Sequence, residues 1–128
     1  MKNVVKIFGF TIIVGVLGFV MIFLNDANAN VKNVFESKCA KCHGLKGKVT
    51  KRGENLGAKN FADLNWQKTI TDNEIINAIT NGKNKMPSWK GKITQNEIEE
   101  LVHYVRVLLP HNLRNEMPID IQKVHYGK

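Results

Sequence analysis

Helical periodicity is the first regular feature of the hydrophobic pattern beyond residue 30. In residues 31–42 the apolar side chains recur at three- and four-residue spacing, which places them on one face of a helix. We predict a first helix there, with Asn30 as its N-cap and with Gly44 and Gly47 at its end. The face consists of Val31, Val34, Phe35, Cys39 and Cys42.

A second helix is predicted over residues 72–81. Thr71 and Glu74 have the spacing of a capping box, in which each side chain pairs with a backbone N–H that the helix leaves without a partner. Gly82 follows the last helical position and predicts the end of the helix. The apolar face carries Ile75, Ile76 and Ile79.

A third helix is predicted to begin at Thr94, whose capping-box partner is Glu97, and to end at Pro110. Its apolar residues again recur at helical spacing: Ile98, Leu101, Val102, Val105, Leu108 and Leu109. Residues 111–128 continue beyond this helix without a packing pattern. We interpret them as a C-terminal tail.

The segments between these helices are predicted to be mainly loops. Residues 45–60 are rich in lysine, glycine and asparagine, and a short helical turn is predicted over residues 61–66 with Asn60 as its cap. No segment alternates apolar and polar residues with the period of two that marks a strand. The predicted fold class is therefore all-α.

Residues 1–29 have the features of a targeting segment. Lys2 and Lys6 precede an uncharged apolar run over residues 7–24, and Ala27-Asn28-Ala29 fits the small-x-small pattern of a cleavage site. We expect a signal peptide that is cut after this pattern and directs the protein to the periplasm or another exported location. The apolar run is also long enough to span a membrane, so an uncleaved anchor with the domain on the exported side is the alternative.

The length and composition of the chain limit the number of domains and the kinds of partner. The 128 residues suffice for one domain, which we place at residues 30–110. The formal net charge of +8 favours acidic partner proteins. No basic run is interleaved with aromatic residues, so nucleic acid is not an expected partner. Membrane contact is expected only if the N-terminal segment stays uncleaved, and the expected assembly is a monomer or a small oligomer.

The most informative motif is Cys39-Ala40-Lys41-Cys42-His43, a Cys-x-x-Cys-His pattern. Two thiols on one helical turn can each add to a vinyl group of haem, and His43 can then bind the iron. A redox-active cysteine pair would need a βαβ context, and a structural zinc site would need about four ligands. The sequence offers neither. A plain disulfide between the two cysteines is the alternative left open.

A second chemically informative stretch lies between the second and third helices, at residues 82–89. Met86 lies in a polar, glycine-containing loop and precedes a proline, whereas core methionines usually lie among aliphatic residues. We interpret its thioether as the second axial ligand of the iron. The alternative is a loop methionine that packs on Trp89. Competing ligands are His103, expected at the rim of its helix, and three residues of the tail, Met117, His111 and His125.

These motifs resemble the small class I monohaem c-type cytochromes of bacteria. The resemblance rests on the segment from Cys39 to Gly44, on Lys85-Met86-Pro87 and on the amphipathic last helix, and it covers residues 30–110. It extends to Asn60-Phe61-Ala62-Asp63, Trp66-Gln67 and Gly91-Lys92-Ile93-Thr94. It implies three to five helices wrapped around one covalently bound haem c, held by Cys39, Cys42, His43 and Met86.

The resemblance also implies particular contacts. The first and last helices of the domain would cross, with Phe35 against Tyr104. The backbone carbonyl of Glu54, where the family usually has proline, would accept a hydrogen bond from the non-ligating nitrogen of His43. Two tryptophans have N–H groups suited to the haem edge: Trp66 and Trp89.

Two axial ligands would leave the iron without an open position. The expected function is therefore the transfer of single electrons between periplasmic or membrane redox partners, and not enzymatic catalysis. Lysines would steer acidic partners toward the haem: Lys46, Lys48, Lys51, Lys83, Lys85 and Lys90. Two other functions stay open, a haem enzyme or gas sensor with a labile sixth ligand, and a haem subunit of a larger redox complex that docks through its tail.

Overall fold

Short helices joined by turns make up the fold. The computed structural model describes residues 30–127, so the predicted signal peptide lies outside the described residues. In the described part, helices α1 to α7 span residues 30–38, Ala40–His43, Lys51–Asn55, Leu64–Thr69, Asp72–Asn81, Gln95–Val107 and Ile119–Tyr126. A 3₁₀ helix, His111–Glu116, precedes α7.

The all-α class predicted from the sequence is confirmed. Residues 30–127 contain no strand, and their two isolated bridge pairs, Lys83 with Met86 and Lys90 with Ile93, lie in loops. Within the same residues, no helix has the length and apolar character needed to cross a membrane.

The two capping boxes predicted from the sequence are both formed. The Thr71 hydroxyl accepts a hydrogen bond from the Glu74 N–H at 3.2 Å, and the Glu74 carboxylate accepts one from the Thr71 N–H at 2.9 Å. Thr94 and Glu97 make the same pair at the start of α6. Both helices therefore begin where the sequence predicts, and α5 also ends before Gly82 as predicted.

The first helix and the segment after it differ from the prediction. Asn30 is itself helical and so does not cap α1. The helix is also interrupted at Cys39, which separates α1 from α2. The predicted loop over residues 45–60 contains α3, because the Thr50 side chain accepts a hydrogen bond from the Gly53 N–H at 3.1 Å. This cap starts a helix that has no apolar periodicity to reveal it.

The predicted helical turn over residues 61–66 is displaced along the chain. The helix α4 begins after Asp63, whose carboxylate accepts a hydrogen bond from the Trp66 N–H at 2.8 Å. Asn60 accepts a hydrogen bond from the Ala62 N–H at 3.2 Å and forms a local turn before the helix instead. Aspartate and asparagine are equally good N-caps, so their identities alone do not decide which of them starts the helix.

Residues 111–127 pack against the rest of the domain, although the sequence shows no packing pattern there. The 3₁₀ helix and α7 are joined by Met117, which is 3% exposed. The Tyr126 hydroxyl donates a hydrogen bond to the Arg106 carbonyl at 3.0 Å. Such polar anchors leave no periodic signature in a sequence, which explains why the packing was not predicted.

The apolar core lies where α1, α5 and α6 meet. Phe35 in α1 contacts Tyr104 in α6, with ring centroids 4.9 Å apart, as the resemblance implies. Of the predicted helix faces, Ile76 and Leu108 are only partly buried. The other apolar residues buried in these three helices are Val31, Val34, Ile75, Ile79, Ile98, Leu101, Val102 and Val105.

A buried arginine links several segments of the fold. Arg106 in α6 is 0% exposed. Its guanidinium donates to the backbone and side-chain oxygens of Gln67 at 2.7 and 3.0 Å. It also donates to the Ile70 carbonyl at 2.8 Å and contacts Asp72 Oδ1 at 2.7 and 2.9 Å. Every N–H donor of the guanidinium thus has an acceptor, as a buried charge requires.

The buried side chain of Gln67 extends this network. Its amide N–H groups donate to the carbonyls of Phe61 and Val105 at 2.8 and 2.9 Å, while its oxygen accepts from Arg106. The network therefore fixes α4 to α6 and to the turn that carries Phe61.

Replacing Gln67 by leucine should lower the free energy of unfolding by about 3 kcal/mol, because two buried carbonyls lose their donor and one N–H of the Arg106 guanidinium loses its acceptor. Urea unfolding of the purified protein measures the change. Gln95→Leu is the control, since Gln95 is exposed and bonds Glu99 on the surface of α6, and it should alter stability by less than about 0.5 kcal/mol. Equal losses for the two variants would contradict the role assigned to Gln67.

Candidate functional site

The Cys-x-x-Cys-His motif lies at the junction of α1 and α2. Cys39 and Cys42 are one helical turn apart, both have free thiols, and both are partly buried. These two side chains and His43 line one cavity. The two cysteines thus form no disulfide with each other, and both thiols face the cavity together with the imidazole.

The surroundings of Cys39 disfavour charge. Burial raises the pKa of its thiol to about 11; Lys38 opposes this shift, and the Cys42 thiol adds to it. The thiol is therefore protonated at neutral pH. A thioether is neutral at every pH, so it can occupy this site without a charge to desolvate.

The His43 ring is fixed by one hydrogen bond and one aromatic contact. Its Nδ1 lies 3.0 Å from the Lys59 carbonyl oxygen, which can only accept, so the proton is on Nδ1 and the lone pair is on Nε2. Phe61 stacks on the ring, with centroids 4.2 Å apart and planes inclined by 9°. Burial lowers the pKa of His43, although the bond to Lys59 opposes this. The imidazole is thus held neutral and ready to bind a metal through Nε2.

The acceptor for His43 is not the residue that the resemblance implies. The expected acceptor was the Glu54 carbonyl, but that oxygen accepts from the Gly57 N–H at 3.0 Å, at the end of α3. The Glu54 carbonyl is used in the turn that ends α3. The chain after this helix places the Lys59 carbonyl next to the imidazole instead.

The helix α3 supports the motif from its other side. The Thr50 hydroxyl donates to the carbonyls of Lys41 and Cys42, at 2.9 and 3.1 Å. A Cβ built on Gly53 would lie 2.1 Å from the Cys42 carbonyl oxygen, so only glycine permits this approach of the two helices. Both residues lie in the segment predicted as a loop. Only the Thr-x-x-Gly spacing of a helix start could have drawn attention to them.

Met86 lies in a tight turn between α5 and α6. Its N–H donates to the Lys83 carbonyl at 3.0 Å, and its carbonyl accepts from the Lys83 N–H at 3.1 Å. Asn84 has a left-handed backbone conformation, with φ 56°, which asparagine adopts more readily than most residues. The turn fixes the backbone of Met86, and the side chain lines the same cavity as Cys39 and His43.

This turn is tied back to the end of α5. The Ser88 hydroxyl donates to the Thr80 carbonyl at 2.6 Å. Gly82 has φ +77°, and a Cβ built on it would lie 2.6 Å from the Met86 carbonyl oxygen. Glycine is therefore required there both by its own backbone and by the close approach of the turn.

The competing ligand candidates lie away from the cavity. None of the four residues named from the sequence lines it: Met117, His103, His111 and His125. His125 instead contacts His103 and Asp72. His103 is exposed on α6, in agreement with the prediction that it points outward or lies at the rim of the domain.

The cavity itself has a volume of about 280 Å³. Trp66 and Trp89, expected at the haem edge, both line it. Most of the remaining wall is apolar and includes Phe35, Phe61, Ile70, Ile75, Ile79, Leu101 and Val105. Two thiols, one imidazole and one thioether around an apolar space match the donor set of a covalently bound haem, so the residues fit that group.

The charged part of the lining consists of one carboxylate, that of Glu74, and of four lysines. The lysines are Lys38, Lys59, Lys83 and Lys85. Of the six lysines expected from the sequence to steer partners, Lys83 and Lys85 line the cavity. The others are exposed but do not line it: Lys46, Lys48, Lys51 and Lys90. Sequence reasoning missed Lys38 and Lys59, whose places at the cavity depend on the tertiary fold.

An all-α fold with paired thiols, an adjacent histidine and one apolar cavity defines the class of c-type cytochromes that carry a single haem. The family described as "Cytochrome C oxidase, cbb3-type, subunit III" matches residues 26–105, more than half of the chain. The chain belongs to this family. It therefore has the cytochrome c fold and binds one haem c covalently.

Similar proteins agree with this assignment. Cytochrome c6 of Nostoc sp. (strain PCC 7120) is 34% identical over 104 residues, which cover 78% of this chain and 90% of that protein. Cytochrome c6 of Alaria esculenta is 30% identical over 76 residues, 59% of this chain and 85% of that protein. This chain is accordingly an electron-transfer haem protein and not an enzyme.

Two further similarities concern a larger protein and a solved structure. The cbb3-type cytochrome c oxidase subunit FixP of Azorhizobium caulinodans is 36% identical over 76 residues, which cover 59% of this chain but only 25% of that subunit. The solved structure of the KustC0563 c-type cytochrome superposes with a TM-score of 0.59 at 38% identity, over 62% of this chain and 96% of that chain.

Replacing Gly53 by alanine should lower the free energy of unfolding by about 1–3 kcal/mol, because the added Cβ meets the Cys42 carbonyl. Helix propensity alone would favour alanine by about 1 kcal/mol, so the sign of the change separates the two effects. Urea unfolding of the haem-loaded protein measures it.

Gly57→Ala is the control for this experiment. Gly57 has φ +73°, but no atom lies within 4 Å of an added Cβ. This variant should therefore lower the free energy of unfolding by only about 1 kcal/mol, the cost of alanine in a left-handed backbone conformation. A Gly53→Ala variant more stable than the wild type would contradict the packing argument.

Proposed function

We propose that this chain carries single electrons through a haem c whose iron is bound by His43 and Met86. One observation carries the proposal. His43 in α2 and Met86 in the turn after α5 line the same cavity, and each is held by hydrogen bonds of its own. Two ligands that are fixed independently, in segments far apart in the chain, suit a site whose geometry stays the same in both oxidation states.

The surrounding residues support this role. When bound, the haem supplies an iron that alternates between Fe(II) and Fe(III). The Lys59 carbonyl keeps the His43 proton on Nδ1, so Nε2 is the atom offered to the iron. A thioether ligand supplied by Met86 would favour the reduced state and would raise the potential relative to two histidine ligands. With both positions taken, oxygen and substrates have no place to bind.

Two alternatives differ in the ligand or in the assembly. A haem enzyme or gas sensor needs a labile Met86, and the reciprocal hydrogen bonds between Met86 and Lys83 argue against such mobility. A haem subunit of a larger redox complex is favoured by the similarity to FixP, of which this chain matches a quarter. That alternative keeps the same haem ligands and differs in whether the partner is bound permanently.

We place the carrier on the exported side of the cytoplasmic membrane. The Cys-x-x-Cys-His motif supports this location, because c-type haem is attached outside the cytoplasm. The charged start, apolar run and small-x-small box of residues 1–29 support a cleaved signal peptide, which makes the protein periplasmic.

Replacing Met86 by alanine should abolish the weak far-red absorption band of the oxidised protein, because that band reports sulfur bound to iron. The midpoint potential should fall by on the order of 0.1 V, within the roughly 0.8 V that axial ligands span. Added imidazole should then bind the oxidised protein. Visible spectra and potentiometry measure these changes.

Met117→Leu is the matched control for this variant. Met117 also precedes a proline and is buried, but it does not line the cavity, so its replacement should leave the band and the potential unchanged. An oxidised Met86→Ala protein with the wild-type spectrum would show that Met86 is not the ligand.

The partner that this surface favours is an acidic redox protein. Lys38, Lys59, Lys83 and Lys85 all line the cavity in which the haem is to be held. These four lysines outnumber the one carboxylate of the lining, that of Glu74. The net positive potential would attract an anionic partner to the point where the electron leaves, and salt would screen that attraction.

The Lys83→Glu/Lys85→Glu double variant should slow oxidation by an anionic iron–cyanide complex about tenfold at low ionic strength, and the difference should shrink in high salt. Stopped-flow mixing of the reduced protein measures the rate. Lys46→Glu/Lys48→Glu changes the net charge equally at lysines that do not line the cavity, so it should slow the reaction less. Equal slowing by both pairs would leave only net charge, and no local steering, as the cause.

A further inference from the structure

Two histidines considered as haem ligands meet each other instead. His103 in α6 and His125 in α7 bring their Nδ1 atoms to 3.2 Å, with ring centroids 5.4 Å apart. His125 is 7% exposed, whereas His103 is open to solvent. Neither ring lines the haem cavity, so the proposed electron transfer uses neither of them.

A carboxylate orients the buried member of the pair. Asp72 Oδ2 lies 2.8 Å from His125 Nε2. Asp72 Oδ1 also accepts a hydrogen bond from the buried Arg106 guanidinium at 2.9 Å, so the carboxylate acts as an acceptor toward both residues. His125 therefore carries a proton on Nε2, and in its neutral form its lone pair is on Nδ1, the atom that faces His103.

The separation of the two nitrogens fits two ligands of one metal ion. Zinc–imidazole bonds of about 2.0–2.1 Å at a tetrahedral angle separate two nitrogens by about 3.3 Å, and the observed separation is 3.2 Å. Imidazole suits zinc, copper and nickel. Histidines that bind metals usually donate their other N–H to a carboxylate or a carbonyl, as His125 does to Asp72.

The exposed histidine is able to complete such a site. His103 is exposed on α6, and its Nδ1 is the ring atom that faces His125. Without metal, the His103 Nδ1–H donates to His125 Nδ1. Because His103 is open to solvent, its proton can move to Nε2 by exchange with water, which leaves a lone pair on the Nδ1 atom of each ring.

We propose that His103 and His125 bind a divalent transition-metal ion such as Zn²⁺ through their Nδ1 atoms, with Asp72 positioning His125. Residues 30–127 contain no group of three or more His, Cys, Asp or Glu side chains arranged to hold a metal. Water therefore completes the coordination. The ion joins α7 to α6, so its binding stabilises the docking of the C-terminal segment and is separate from the haem iron.

The experiment titrates zinc into the haem-loaded, EDTA-treated protein at neutral pH. Calorimetry measures the binding, and thermal unfolding with and without zinc measures the change in stability. The wild type should bind one ion per chain and should melt at a higher temperature with zinc than without it. His103→Ala should weaken binding by at least about tenfold and remove the increase in melting temperature. His103→Gln, which keeps a polar side chain at this exposed position, should behave in the same way.

His111→Ala is the control, because His111 is exposed and lies outside the pair. It should bind zinc like the wild type. The haem absorption spectrum and the melting temperature without zinc establish that each variant is folded. Absence of one-to-one binding up to millimolar zinc would overturn the proposal, as would wild-type affinity in the His103 variants.

Discussion

The buried charge of Arg106 is the constraint from which the arrangement of the helices follows. A guanidinium that is 0% exposed is tolerated only if each N–H finds an acceptor, and here the acceptors come from Gln67, Ile70 and Asp72. These residues belong to α4, to the segment after it and to α5. The three segments are therefore held around one point of α6.

The same constraint reaches the haem site through Phe61. Gln67 holds the Phe61 carbonyl at 2.8 Å, and the Phe61 ring stacks on His43 at 4.2 Å. His43 is then fixed on one face by an aromatic ring and at one edge by the Lys59 carbonyl. A charge with no direct contact to His43 thus helps to fix the orientation of the proposed iron ligand.

The features that sequence reasoning predicted are those that short stretches of chain specify by themselves. The capping boxes at Thr71 and Thr94 need a partner three residues away, and the haem motif lies within five consecutive residues. The features it missed depend on atoms or contacts without a local pattern. A backbone carbonyl such as that of Lys59 has no side-chain signature, and the packing of residues 111–127 rests on polar contacts to distant parts of the chain.

The positions of the proposed haem-binding residues along the chain bear on how the protein matures. Cys39, Cys42 and His43 are neighbours, so the macrocycle can be joined to a chain that has not yet acquired tertiary structure. Met86 lies in a turn that packs on Gly82 at the end of α5, so its place at the cavity depends on that packing. Haem attachment thus depends on five consecutive residues, whereas the proposed ligation by Met86 depends on the folded turn.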